Sequence, residues 1–193
     1  MRLIPRLPGL LRLPQRVTMP AGIEQALGLD EPGTPRLLAW SVLAGGGAAA
    51  ATLRDLRIVT PRGERLVRTW DAVDHAVWEQ NSRMLVVWWV DTRKTTPLEI
   101  EDDIGRLPEV VRERVQASVV LTASVPIRSA KGGKPARVAL RRDPDGRLLA
   151  QSLLPPGVKA DAPEVKALID EAIAELWAEA GEQGLNAGAP PSI

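Results

Sequence analysis

Residues 51–90 read ATLRDLRIVTPRGERLVRTWDAVDHAVWEQNSRMLVVWWV, and the parsing of this stretch decides the fold. Turn formers cut its apolar positions into runs too short for helices, so it reads as strand after strand. Leu56–Thr60 is a short β-rich run, and Pro61-Arg62-Gly63 turns it into Glu64–Arg68. Val73–Trp78 and Arg83–Val90 form a hairpin across the polar Glu79-Gln80-Asn81-Ser82. RMLVVWWV (83–90) is almost continuously apolar, which predicts cover on both faces. Trp88 and Trp89 are adjacent, so they point to opposite faces. One belongs to the core; the other is covered by later elements or open to a partner.

Upstream, LLAWSVLAGGGAAAATL (37–53) carries no charge over its whole length. A spanning helix needs about 20 apolar residues, and Gly45, Gly46 and Gly47 interrupt this run. It is expected to be a hairpin, Arg36–Ala44 and Ala48–Thr52 around a glycine turn. Ala21–Leu27 is a candidate short helix stopped by Gly28. The first twenty residues hold Arg2, Arg6, Arg12 and Arg16, no acid, and prolines at 5, 8, 14 and 20. Those prolines forbid a regular helix and break the apolar core that a signal peptide requires. The segment reads as a terminal strand, with a docking arm that meets proteins or anionic surfaces as the alternative.

Downstream, a loop at Asp91–Pro97 leads to a short strand at Leu98–Ile100. LPEVVRERVQAS (107–118) has helical spacing, with Val110, Val111 and Val115 on one face. Val119–Ile127 returns to strand, and Arg137–Arg142 and Arg147–Leu154 form a hairpin across Asp143-Pro144-Asp145-Gly146. Asp161 and Glu164 suggest a capping box before a helix with the stripe Val165, Leu168, Ile169, Ile173 and Trp177, ended by Gly181. The expected organisation is an arm (1–20), a first domain (21–118), a strand meander with packed helix (119–181) and a disordered tail (182–193).

Composition narrows the function classes. Hydrophobic residues make up 45% of the 193 residues, with no Phe and no Tyr, so six Trp supply all the aromatic bulk. Net charge is +1, which argues against a surface given over to nucleic acid. Zero cysteines exclude disulfides, thiolate metal sites and thiol nucleophiles, and fit a cytoplasmic location.

A family resemblance rests on particular residues. ATLRDLRIVTPRG (51–63), then Trp70-Asp71-Ala72-Val73 and Ala76-Val77-Trp78, is similar to a bacterial pleckstrin-homology-like (PH-like) pattern. In that pattern a strand aTxxxLxl precedes W-x-x-V-x-x-A-x-W and a further apolar strand. Thr69 stands where the pattern carries an apolar residue or proline. LPEVVRERVQASVVLTASVPI (107–127) with VALRRDPDGRLLAQ (138–151) resembles a group of uncharacterised PH-like proteins of high-GC Gram-positive bacteria. The likeness covers about residues 34–180, through packing positions rather than chemical ones. It implies an α+β fold: a mainly antiparallel PH-like barrel or sandwich closed by a helix, then a short strand meander and a C-terminal helix. It implies no activity and no cofactor, and points to an interaction or scaffolding module.

Three groups of residues invite a chemical reading. His75 is the only histidine, beside Asp71 and Asp74. Alternation of Val73, Ala76 and Trp78 requires a β-bulge that leaves Asp74, His75 and Val77 on the outer side or in the bulge itself. No nucleophile motif accompanies it, so it reads as a bystander. Glu99, Glu101, Asp102 and Asp103 cluster without calcium-loop spacing. They read as a solvated loop, with a carboxylate-dependent enzyme as a remote alternative. Arg128, Lys131, Lys134, Arg137, Arg141 and Arg142 fall around Gly132-Gly133 with no acid between them. That basic hairpin is either plain solvated surface or an anion- or phospholipid-binding element, and the second reading places the protein at a membrane periphery. The expected partner is a protein.

Overall fold

The computed structural model describes residues 18–92, 94–102, 106–127 and 134–182. The charge-free run from Leu37 folds back on itself as β1 (Leu37–Leu43) and β2 (Gly47–Thr52). Gly45 and Gly46 both take positive φ in the turn, which glycine adopts without a Cβ clash. No helix among the described residues is long and apolar enough to cross a membrane. β3 (Asp55–Val59) and β4 (Arg65–Thr69) continue the meander. A single 3-10 turn, Trp70–Ala72, then leads into β5 (Val73–Glu79), β6 (Met84–Trp89) and β7 (Thr95–Asp102).

The seven strands lie in the order β4-β3-β2-β1-β7-β6-β5, with every pairing antiparallel. β7 is longer than the three residues expected and takes in Pro97. At Pro97 it pairs only with β6, meeting β1 from Ile100 onward. A residue without an N–H is tolerated there because no ladder lies on its second side.

α2 (Leu107–Ser118) lays Leu107, Val111 and Val115 on the inner face of this sheet, against Leu56, Val87 and Ile100. Each such large apolar side chain contributes about 1.5–3 kcal/mol on full burial. Trp70 and Trp89 give the same core its aromatic bulk, and their polar ends are matched. The Trp70 indole donates to Thr52 O at 3.1 Å and the Trp89 indole to Thr96 Oγ1 at 2.8 Å. On the outer face α1 (Ala21–Ala26) and its following turn cover β1 and β2, packing Ile23 and Leu27 on Ala48, Ala50 and Trp40. Alternate alanines of β2 thus serve two layers, which is why the whole strand is buried.

A second, three-stranded sheet of order β10-β9-β8 follows: β8 (Val119–Val125), β9 (Ala136–Arg142) and β10 (Leu148–Leu153). α3 (Pro163–Glu182) packs on β8 and β9. The molecule is therefore α+β, with a large antiparallel sheet, a small second one and a C-terminal helix, as a sandwich requires.

The detail of α3 corrects three expectations. Its buried face is Val165, Ile169, Ala172, Leu176 and Ala180, while Leu168 is 39% exposed. Val165 and Ile169 of the expected stripe are buried, and Ile173 and Trp177 pack half-buried against the same cluster, whose remaining helix positions are Ala172, Leu176 and Ala180. The helix begins at Pro163, two residues beyond Asp161, because proline suits a first turn whose N–H would be unused. Gly181 lies inside the helix rather than ending it.

Candidate functional site

The basic hairpin does not present one surface. Arg128, Lys131 and the arm residues Arg2, Arg6, Arg12 and Arg16 lie outside the described residues. Lys134 and Arg137 are exposed. Arg142 donates through Nη1 to Gly146 O at 2.8 Å, bracing the β9–β10 turn. Arg141 turns inward and is only 3% exposed. Its guanidinium donates to Val73 O at 2.6 Å, Asp74 O at 2.9 Å, Trp70 O at 3.4 Å and Ser118 Oγ at 3.2 Å. Burial lowers its pKa, and the nearby Asp74 works against that shift. A guanidinium stays charged under such a shift. Arg141 is thus a staple from β9 to the start of β5 and the end of α2, not part of a solvent-facing anion site.

Arg57 plays a matching part elsewhere, and nothing in its spacing marks it in the sequence. Buried on β3, it pairs with Asp55 through Nε at 3.0 Å and Nη2 at 3.3 Å. Its Nη1 donates to Gly28 O at 2.5 Å, just past the end of α1, where unused helix carbonyls favour a cation.

Around His75 the expected bulge is present, as a register shift between Val73 and His75. His75 is exposed and its ring stacks on Trp88, with centroids 4.5 Å apart and planes 11° from parallel. Asp74 Oδ2 lies 2.7 Å from His75 Nδ1, while Asp74 Oδ1 pairs with Arg137 of β9. This is an orienting carboxylate of the kind general-base histidines use. Here both partners are also tied to structural neighbours, the ring to Trp88 and the carboxylate to Arg137. Asp74 is the hub, and the sequence marks it only as a neighbour of the histidine.

Cross-strand pairing extends that corner into a surface. His75, Trp88 and Thr95 form one row across β5, β6 and β7; Val77, Val86 and Pro97 form the next; Glu79, Met84 and Glu99 the third. Val77 is 43% exposed, Pro97 is exposed, and Val86, Trp88 and Met84 are half-buried. Trp89 faces the core and Trp88 this outer side, as adjacent strand positions require. Glu99 and Glu101 are exposed on the same face of β7; Asp103 lies outside the described residues. Among the described residues no group of three His, Cys, Asp or Glu side chains is placed to hold a metal ion.

No protein-family model matches the chain, and no curated protein and no solved structure matches it.

Proposed function

We propose that the chain is a non-enzymatic interaction module of PH-like architecture, docking a protein segment that carries basic residues on the outer face of β5, β6 and β7. The strand order supports the architecture. A four-strand meander and a three-strand meander meet through β1 and β7, and the helix after β7 crosses the inner face. The docking reading is carried by one contrast between the two halves of the outer surface. α1 and its turn cover β1 and β2, whereas the Trp88–Val77–Pro97 band has no covering element among the described residues. Contiguous exposed apolar surface of this kind marks interaction sites. The exposed carboxylates Glu79, Glu99 and Glu101 lie on the same face, which favours a basic partner and opposes an acidic one.

A photo-crosslinking residue at position 77 of the full chain, used in native lysate, tests the reading. A stoichiometric protein adduct is expected, lost on reversing Glu79 and Glu99 to lysine and weakened as salt is raised. No adduct at position 77, or one indifferent to the charge reversal, overturns it.

A further inference from the structure

Away from that face, the β2–β3 turn, the last turn of α2 and the β9–β10 turn meet around a cleft of about 300 Å3. Leu53 and Trp70 give it an apolar wall. Arg54, Arg114, Arg142 and Asp143 are the charged residues of its lining, a net +2, or +1 with the Asp145 carboxylate paired to Arg54. We propose that this cleft binds a phosphate monoester carried on an apolar body, with Arg54 and Arg114 addressing the phosphate and Arg142, braced to Gly146 O, adding positive charge beside it. The inference stands apart from the docking reading, since none of these residues belongs to the outer face of β5–β7.

Four features carry it. Arg114 Nε is buried with no hydrogen-bond partner among the described residues, and an unspent buried donor is costly unless something accepts from it. Arg54 pairs with Asp145 at 2.5 Å, but both side chains are about half exposed. Such pairs contribute little and exchange readily for a better acceptor. Asp143, the one acid in the lining, spends Oδ1 on the N–H groups of Asp145 and Arg147, both at 2.8 Å. Its carboxylate is therefore held to its own turn. Finally, a phosphate monoester carries about −1.5 to −2 at neutral pH, which matches the lining, and its oxygens suit guanidinium forks.

One effect opposes an anion here. The carboxyl end of α2 closes the cleft, and a helix C-terminus carries roughly half a negative charge. Part of that end is already satisfied: Ser118 Oγ donates to Val115 O at 2.7 Å, and Val119 N–H bonds Gln116 O. Half a charge of the wrong sign is outweighed by the lining, whose net charge stays positive even with Asp145 counted.

Trp70 borders the cleft, and its indole N–H, fixed to Thr52 O, is a reporter beside it. The full chain is titrated with phenyl phosphate, with inorganic phosphate, and with phosphatidylcholine vesicles carrying phosphatidic acid, while the Trp70 indole resonance is followed by NMR. A saturable shift is expected with phenyl phosphate, weaker with inorganic phosphate alone. Arg54→Gln and Arg114→Gln should each weaken binding by about fivefold or more, Arg114→Lys by less, and the distant Lys134→Gln not at all. A response to vesicles alone, with the same arginine dependence, assigns the phosphate to a lipid headgroup; a response to phenyl phosphate assigns it to a small molecule. No movement of the Trp70 resonance with any probe overturns the proposal, as does binding unchanged in the folded Arg54→Gln variant. That variant decides the matter if Arg114→Gln does not fold.

Discussion

Arg141 shows how one side chain can look like a surface group in sequence and act as a core group in space. It stands in a run of basic residues, yet its guanidinium donates to Trp70, Val73, Asp74 and Ser118 in the interior. Arg141→Met keeps much of the volume but strands those acceptors away from water. A buried acceptor without a donor costs about 1–3 kcal/mol, so the variant should lose about 3 kcal/mol or more in urea unfolding. Arg137→Gln, which removes only a half-exposed partner of Asp74, should lose no more than about 1 kcal/mol. Equal losses from the two would show that Arg141 is not the staple described.

At the scale of elements, the β1–β2 hairpin is closely packed where it opens into β2. Gly47 opens β2, and a Cβ there would stand 2.5 Å from Val59 O and 3.2 Å from two atoms of Pro61. The first of these is backbone of a paired strand and cannot turn aside. Gly47→Ala should therefore destabilise the protein by about 1–3 kcal/mol, the range for overpacking. Gly46→Ala meets no atom within 4 Å, so its cost comes from positive φ alone and should be about 1–2 kcal/mol. Thermal unfolding of both variants separates contact from conformation.

For the molecule as a whole, groups far apart in sequence meet between the two sheets. Gln151 donates to Asp71 O at 3.0 Å, and Arg54 of the β2–β3 turn pairs with Asp145 of the β9–β10 turn. The Arg54 guanidinium holds the Asp145 carboxyl below its ordinary value, as Arg65 does for Glu31. A carboxyl lowered in the folded state adds stability above its unfolded pKa and loses it as pH falls through the folded one. Asp145 should accordingly titrate below about 3.9, the usual aspartate value, when followed by carbon-detected NMR. In Arg54→Gln its midpoint should rise toward that value. The stability gap between this variant and the parent should close as the solution is acidified. A midpoint unmoved by the substitution would remove the bridge from the account.

The sequence by itself determined the order and kind of almost every element, because local chemistry sets them. Gly45 and Gly46 make a turn, the 3.6-residue spacing of Val111 and Val115 makes a helix, and Asp143-Pro144-Asp145-Gly146 makes a hairpin. Even the bulge at Asp74 was legible, since alternation fails there without it. What only the tertiary structure decided were the meetings between distant groups. β7 extends through Pro97 because no strand needs that N–H. α3 buries Ala172 and Ala180 beside Val165, Ile169 and Leu176 because β8 and β9 lie on that side of it. Arg57 and Arg141 enter the core because carbonyls wait there, and Arg54, Arg114 and Arg142 share a cleft because three turns converge. Periodicity records which face of an element is apolar, but not which polar group lies opposite it. For that reason the fold could be read along the chain, and the sites only across it.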